Sequence, residues 1–78
     1  MEQLKKYNAA FVEIVGARED QLPGLVYQAT AGWDSVGHMQ LVTKLEDVFG
    51  IALEMEDILE FSGYEKGKDI LRKYGVAL

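Results

Sequence analysis

An amphipathic helix in the middle of the chain is the clearest structural signal in this sequence. Its apolar residues fall on one arc at helical spacing, and they are Leu41, Val42, Leu45, Val48 and Phe49. Asp34 and Ser35 precede the run as helix-starting residues, and Gly50 follows it as a helix-ending one. The pattern predicts a helix from about Ser35 to Phe49, and other segments must cover its apolar side.

Three further helices are predicted around this one. The first ends at Gly16 and has an apolar face made of Leu4, Tyr7, Phe11, Ile14 and Val15. A short third helix of about two turns is indicated by Met55, Ile58, Leu59 and Phe61. The fourth ends at Gly75, and its apolar side is formed by Tyr64, Ile70, Leu71 and Tyr74. Ser62 and Glu65 have the spacing of a capping box at its start.

A long loop is predicted between the first two helices, over residues 17–33. Pro23-Gly24 is a turn signal inside this segment. The apolar stretch Leu25-Val26-Tyr27 has the composition of a strand, but no obvious pairing partner stands elsewhere in the sequence. We therefore expect an all-α, four-helix bundle with a short third helix and a long, partly ordered loop, a kind of segment that often carries function.

The small size and acidic composition narrow the function classes. A chain of 78 residues is expected to form a single domain, 1–78, with too little core for an elaborate enzyme. The absence of cysteine excludes a disulfide scaffold and thiol catalysis, and a single histidine leaves little for a zinc site. A net charge of -5 with no basic run argues against nucleic-acid binding.

Membrane insertion is not expected from this sequence. The N-terminal residues carry charges without an uninterrupted apolar stretch after them, and no apolar run approaches membrane-spanning length. The sequence therefore predicts a cytoplasmic, monomeric protein.

A small apolar patch is predicted on the polar face of the second helix. Val36 lies opposite the core arc and Met39 lies on the flank of that face, while Gly37 removes side-chain bulk beside them. Ser35 is next to the patch in the first turn, where free backbone N–H groups and the helix dipole favour an anion. On the dipeptide alone, the simplest interpretation is that Asp34 and Ser35 only cap the helix.

The wider pattern resembles the signature of acyl carrier proteins. That family is marked by Asp-Ser-Leu followed by a helix ending in Leu-Glu-x-x-Phe, and the chain has Asp34-Ser35-Val36 and Leu45-Glu46-Asp47-Val48-Phe49 at matching spacing. The length, the acidic balance, the loop after the first helix and the short third helix are also similar to those carriers. The resemblance thus extends over the whole chain.

The resemblance implies a carrier whose Ser35 bears a covalent 4′-phosphopantetheine arm, with Asp34 as the flanking motif residue. A phosphopantetheinyl transferase would attach the arm from coenzyme A with Mg²⁺, and acyl-loading ligases or transferases and synthases would use it. The arm's thiol would hold acyl groups as thioesters in fatty-acid, polyketide or other specialised biosynthesis. Ser35 is then an acceptor rather than a catalytic residue, and the chain is a substrate of other enzymes. The resemblance also implies a bundle core hollow enough to accept part of an acyl chain.

Partner binding is expected on the second helix and on the third. The candidate contact residues are Val36, Gly37, Met39, Gln40, Thr43, Asp47 and Glu56. The chain departs from the family here, because Gly37 and Gln40 stand where many fatty-acid carriers have acids and Lys44 adds a positive charge. Electrostatic steering along this helix should be weaker and recognition more dependent on Val36, Met39 and shape.

Three other features have structural interpretations. Trp33 is expected to pack the end of the loop onto the bundle, and His38 to be a hydrogen-bonded, partly buried residue. Acidic residues around the third helix are expected to form a solvated face rather than a metal site, and they are Glu54, Glu56, Asp57 and Glu60.

Two alternatives stay open at this point. An aminoacyl or peptidyl carrier would bear the same arm with a different cargo. A small helical interaction domain would use the exposed Val36 and Met39 to bind a partner, with Ser35 only a helix cap. The identity of the cargo, the pathway and the partner enzymes cannot be predicted from the residues.

Overall fold

The computed structural model describes residues 2–78, and within them the chain is all-helical. The helices are α1 (Glu2–Val15), α2 (Ser35–Phe49), α3 (Met55–Glu60) and α4 (Tyr64–Lys73), with a short 3-10 turn at Glu19–Gln21 in the long loop. The prediction of an all-α fold with four helices, a short third helix and a long first connection is confirmed.

Glycines in the left-handed backbone conformation end three of the helices. Gly16 follows α1 with φ 73°, Gly50 follows α2 with φ 65°, and Gly75 follows the last turn after α4 with φ 88°. A side chain would strain the backbone at these angles, so glycine fixes the point where each helix ends. The predicted ends of these helices therefore agree with the structure.

The core lies between α1 and α2, with α4 and the long loop closing over it. Aromatic rings dominate it: Phe11 contacts Tyr7, Trp33 and Tyr64 edge to face, at centroid distances of 5.0, 5.3 and 5.4 Å. The Tyr7 hydroxyl is buried and donates to the Tyr64 carbonyl at 2.7 Å. This bond connects the first helix to the last, because a buried hydroxyl needs a partner.

The prediction that the apolar stretch in the loop lacks a pairing partner is wrong. Val26 forms an isolated antiparallel bridge with Gly63, the Tyr27 N–H donates to the Ser62 carbonyl at 2.9 Å, and the Tyr64 N–H donates to the Leu25 carbonyl at 2.8 Å. The partner is the α3–α4 connection, which carries no strand pattern of its own. The long loop is thereby fixed to the connection between α3 and α4.

The predicted capping box before α4 is also wrong. Gly63, not Ser62, is the N-cap residue of α4, and no side chain caps that end. The backbone bonds with the loop fix the approach to this helix instead.

Asp57 of α3 is buried, which corrects the expectation of a fully solvated acidic face. Its carboxylate accepts from Lys73 Nζ at 2.7 Å and from the Tyr74 hydroxyl, and Tyr74 in turn accepts from the Glu54 N–H at 3.0 Å. Glu56 and Glu60 remain exposed. Asp57 therefore attaches the short third helix to the end of α4.

The acid stability of the chain should depend on Asp57. Hydrogen bonds from Lys73 and Tyr74 hold the pKa of Asp57 below its ordinary value. A lowered pKa in the folded state stabilises the fold above the unfolded-state pKa of about 4, and this contribution is lost as the pH falls below that value. We expect Asp57→Asn to have a lower urea midpoint at pH 7 and a shallower loss of stability between pH 5 and 3.

Urea titrations at both ends of that pH range measure this effect. Glu56→Gln is the matched control, because it removes one exposed acid from the same helix. An Asp57→Asn profile parallel to that of the wild-type chain would contradict the role of Asp57.

Candidate functional site

The N-terminus of α2 is the junction where the long loop, α1 and α2 meet. Thr30 donates its hydroxyl to the Val15 carbonyl at 3.2 Å, and the Gly32 backbone lies directly against the same carbonyl. Two residues on, Asp34 is the N-cap of α2 in an extended conformation and Ser35 is the first helical residue. These contacts of the loop therefore position Ser35 beside the end of α1.

Asp34 supplies the helix cap, and Ser35 does not. The Asp34 carboxylate accepts a hydrogen bond from the Gly37 N–H at 2.7 Å, and its carbonyl accepts from the His38 N–H at 2.7 Å. An N-cap side chain satisfies one of the free donors of the first turn. Since this task falls to Asp34, the exposed Ser35 side chain is not needed to begin the helix.

Gly37 allows the close approach of the loop to the helix. It is buried, and a Cβ at this position would overlap the carbonyl oxygen of Gly32. Among the predicted contact residues of α2, Gly37 is therefore the one that the structure buries. The absence of a side chain serves packing inside the junction instead.

Replacing Gly37 with alanine should loosen this junction. The added methyl group cannot be accommodated without moving the Gly32 backbone, so we expect Gly37→Ala to lose about 1–3 kcal/mol of unfolding free energy despite its better helix propensity. Urea denaturation followed by circular dichroism measures the loss. Gln40→Ala, exposed on the same helix, is the control and should change stability by less than about 0.5 kcal/mol. Equal midpoints for the two variants would contradict the close approach.

Trp33 and His38 hold the junction from inside. Trp33 is fully buried, and its Nε1–H donates to His38 Nδ1 at 3.0 Å. Because Nδ1 accepts, the ring proton is on Nε2, which donates to the Ile58 carbonyl at 2.9 Å. The predictions for both residues are confirmed, and His38 additionally links α2 to α3.

The exposed face of α2 carries the predicted apolar patch. Val36 is 64% exposed and Met39 is 49% exposed. Together with Ser35 they line a shallow groove of about 610 Å³ between α1 and α2, whose other lining residues are Ile14, Gln40, Thr43, Lys44 and Asp47. Most of the predicted contact residues of α2 are thus collected on one surface, and Glu56 is exposed separately on α3.

The charges of α2 are largely engaged within the fold. Lys44 Nζ lies 3.5 Å from Glu13 of α1, and the Glu46 carboxylate accepts from the Leu53 N–H at 2.8 Å. Asp47 is exposed. Lys44 is thereby paired with an acid of α1, and Glu46 is held by a backbone N–H.

A second cavity next to Ser35 was not found from the sequence. It has a volume of about 310 Å³, lies between α2 and α3, and we call it the α2–α3 pocket. Its lining residues are Tyr27, Ser35, His38, Met39, Met55, Ile58, Leu59, Phe61 and Ser62. The available signal was the apolar content of α3, since a six-residue helix with Met55, Ile58 and Leu59 cannot bury all three.

Within residues 2–78, no cluster of three or more His, Asp or Glu side chains is placed to hold a metal ion. None of the helices described is both long and apolar enough to span a bilayer.

The segment around this junction matches a known protein family. Residues 29–65 match the family model described as the phosphopantetheine attachment site. Domains of that family are attachment sites for covalent 4′-phosphopantetheine. No curated protein and no solved structure gives a significant match to the chain. The matched segment contains Asp34, Ser35, all of α2 and α3, and every lining residue of the α2–α3 pocket except Tyr27.

Proposed function

We propose that this chain, whose residues 29–65 match the model of the phosphopantetheine attachment-site family, is an acyl carrier protein with its arm on Ser35. The observation that carries the proposal is that two neighbouring residues at the start of α2 have different roles. Asp34 caps the helix, and the neighbouring Ser35 stays exposed within the matched segment. When attached, 4′-phosphopantetheine supplies a thiol that holds an acyl group as a thioester, in a chain that has no cysteine of its own.

Ser35 acts as the acceptor of the arm. Its hydroxyl oxygen forms the new bond to phosphorus and gives up its proton, while the adenosine bisphosphate part of coenzyme A leaves. A phosphopantetheinyl transferase with Mg²⁺ catalyses this exchange. The first-turn backbone of α2 favours the negative charge that the phosphate diester brings to Ser35.

The groove on α2 is proposed as the surface that partner enzymes bind. Its exposed apolar residues are Val36 and Met39, and Asp47 is its exposed acid. With Lys44 paired to Glu13 and Glu46 bonded to the Leu53 N–H, apolar contact and shape should contribute more to recognition than charge. Acyl-loading enzymes and synthases of fatty-acid, polyketide or other specialised biosynthesis are the proposed partners.

Two alternatives make different predictions. An aminoacyl or peptidyl carrier has the same attachment chemistry and differs in the cargo. An interaction domain that uses Ser35 only as a cap is disfavoured, because Asp34 provides the cap.

The proposal is tested by the intact mass of the chain after incubation with coenzyme A, Mg²⁺ and a broad-specificity phosphopantetheinyl transferase. We expect the mass to rise by one phosphopantetheinyl group. An unchanged mass under conditions that fully modify a control carrier protein would contradict the proposal.

A further inference from the structure

We infer that His38 is a positioning residue for the transfer of the arm to Ser35, because its imidazole holds the long loop and α3 in place around the start of α2. The inference rests on the proposed attachment at Ser35. It goes beyond that proposal by assigning a role in binding the transferase to a side chain that is not the acceptor and acts through its neighbours.

Ser35 lies where two depressions of the surface meet. It lines the groove between α1 and α2, and it also lines the α2–α3 pocket. Exposed apolar side chains border both of them, with Val36 on the groove and Met55 and Leu59 on the pocket. A transferase whose active site closes over the exposed Ser35 side chain has to fit both borders at once. The placement of α3 relative to the start of α2 therefore matters to the reaction.

His38 lies one turn after Ser35 on the same side of α2, and it also lines the α2–α3 pocket. Its Nδ1 accepts from the indole N–H of Trp33 in the loop at 3.0 Å, and its Nε2 lies 2.9 Å from the Ile58 carbonyl of α3. An indole nitrogen can only donate and a carbonyl can only accept, so both partners require the same tautomer, with the proton on Nε2. One ring therefore connects the loop, α2 and α3.

The bond to Ile58 is the polar contact that holds α3 against α2. Within residues 2–78, no other hydrogen bond joins these two helices. Ile58 lies in the last turn of α3, where carbonyls lack a partner further along the helix, and it receives only one other bond, from the Phe61 N–H at 3.3 Å. The neighbouring Asp57 accepts from Lys73 of α4. Two consecutive residues thus attach α3 to α4 on one side and to α2 on the other.

Loss of the imidazole nitrogens should loosen the surroundings of Ser35 while its hydroxyl stays intact. In His38→Phe the ring would still pack, but the N–H of the fully buried Trp33 would have no partner, and α3 would lose its bond to α2. The arrangement that the transferase binds would then be present in only a fraction of the molecules. Apparent affinity falls by that fraction, whereas the chemistry of the bound hydroxyl does not change.

Steady-state kinetics of arm transfer test the inference. The full chain is the varied substrate, with Mg²⁺, saturating coenzyme A and a broad-specificity phosphopantetheinyl transferase. We expect His38→Phe to raise KM on the order of tenfold, which is the effect of one or two lost hydrogen bonds, and to leave kcat within about twofold of the wild-type value. A wild-type KM in folded His38→Phe would overturn the role of His38.

Tyr7→Phe is the matched control for stability. It removes the buried hydrogen bond between Tyr7 and the Tyr64 carbonyl, and Tyr7 lines neither cavity beside Ser35. A merely structural role of His38 would raise KM only in proportion to the unfolded chain, which a urea titration of each variant measures. With concentrations counted as folded chain, we expect the wild-type KM for Tyr7→Phe. The same rise in Tyr7→Phe and His38→Phe would overturn the assignment.

Two amide variants separate the two bonds of His38. Glutamine offers an acceptor and a donor that can reach both partners, so His38→Gln should recover most of the wild-type KM. Asparagine is shorter, so His38→Asn should bond to Trp33 but not to Ile58 and should keep a raised KM. His38→Asn also replaces His38→Phe in the kinetic test if the latter does not fold. No recovery in His38→Gln, or a wild-type KM in His38→Asn, would overturn the inference.

Nuclear magnetic resonance gives a readout that does not involve the transferase. The indole N–H resonance of Trp33, the sole tryptophan, should move upfield in His38→Phe and return in His38→Gln. Amide hydrogen exchange in α3, measured relative to exchange in α1, should be faster in His38→Phe than in the wild-type chain. Unchanged relative exchange would overturn the attachment of α3 by His38. A wild-type chain that accepts no arm would instead contradict attachment at Ser35, so the two proposals fail separately.

Discussion

Ser35→Ala is expected to abolish phosphopantetheine addition completely while leaving the helical circular dichroism unchanged. The hydroxyl is the proposed acceptor, so its removal leaves no oxygen to bond to phosphorus. The fold should tolerate the change, because Asp34 supplies the cap and alanine is a good helix former at the first helical position. Unfolding free energy should change by less than about 0.5 kcal/mol.

Ser62→Ala is the matched control for this experiment. Ser35 and Ser62 are the only two serines of the sequence, both are exposed, and both line the α2–α3 pocket. We expect Ser62→Ala to be modified at the wild-type rate. Addition to Ser35→Ala, or loss of addition in Ser62→Ala, would contradict the proposed acceptor.

Trp33→Ala is expected to leave the chain largely unfolded at 25 °C. The indole is fully buried among four aromatic rings, and truncating a buried aromatic residue of this size costs about 3–5 kcal/mol. A domain this small has roughly 3–5 kcal/mol of stability in total. Far-ultraviolet circular dichroism and urea titration measure the loss.

Trp33→Phe separates packing from hydrogen bonding at the same position. Phenylalanine keeps most of the ring contacts but cannot donate to His38 Nδ1, so we expect an intermediate loss of about 1–3 kcal/mol. A Trp33→Ala chain with the wild-type urea midpoint would show that the loop is not anchored by this residue.

The helices could be predicted because their signals are local. The bounds of α2 follow from an N-cap residue, a 3.6-residue apolar period and a glycine that adopts φ 65°, all within one stretch of sequence. The exposure of Val36 followed from the same helical geometry. These features require no knowledge of the rest of the fold.

Contacts between distant segments could not be predicted in the same way. Val26 pairs with Gly63, which belongs to a connection without strand composition. Asp57 is buried because Lys73 and Tyr74 approach it from the end of α4. The sequence around Asp57 contains no signal that predicts these two contacts. Both features depend on how α3 and α4 are arranged in space.

The position of the candidate site on α2 could be predicted, but its surroundings could not. Ser35 and the exposed apolar face of α2 were identified from the pattern around Asp34, whereas Gly37 was placed on the surface although it faces the loop backbone. The α2–α3 pocket was missed because its wall and floor come from the long loop, α2, α3 and the connection that follows it. A helical wheel describes one helix and cannot show such a cavity.

Localising the added group on the wild-type chain tests the central claim most directly. The chain is modified with coenzyme A, Mg²⁺ and a phosphopantetheinyl transferase, and its fragments are then sequenced by mass spectrometry. The account predicts one phosphopantetheinyl group, carried only by fragments that contain Ser35. A group on fragments that contain Ser62 but lack Ser35, or no group at all, would contradict it.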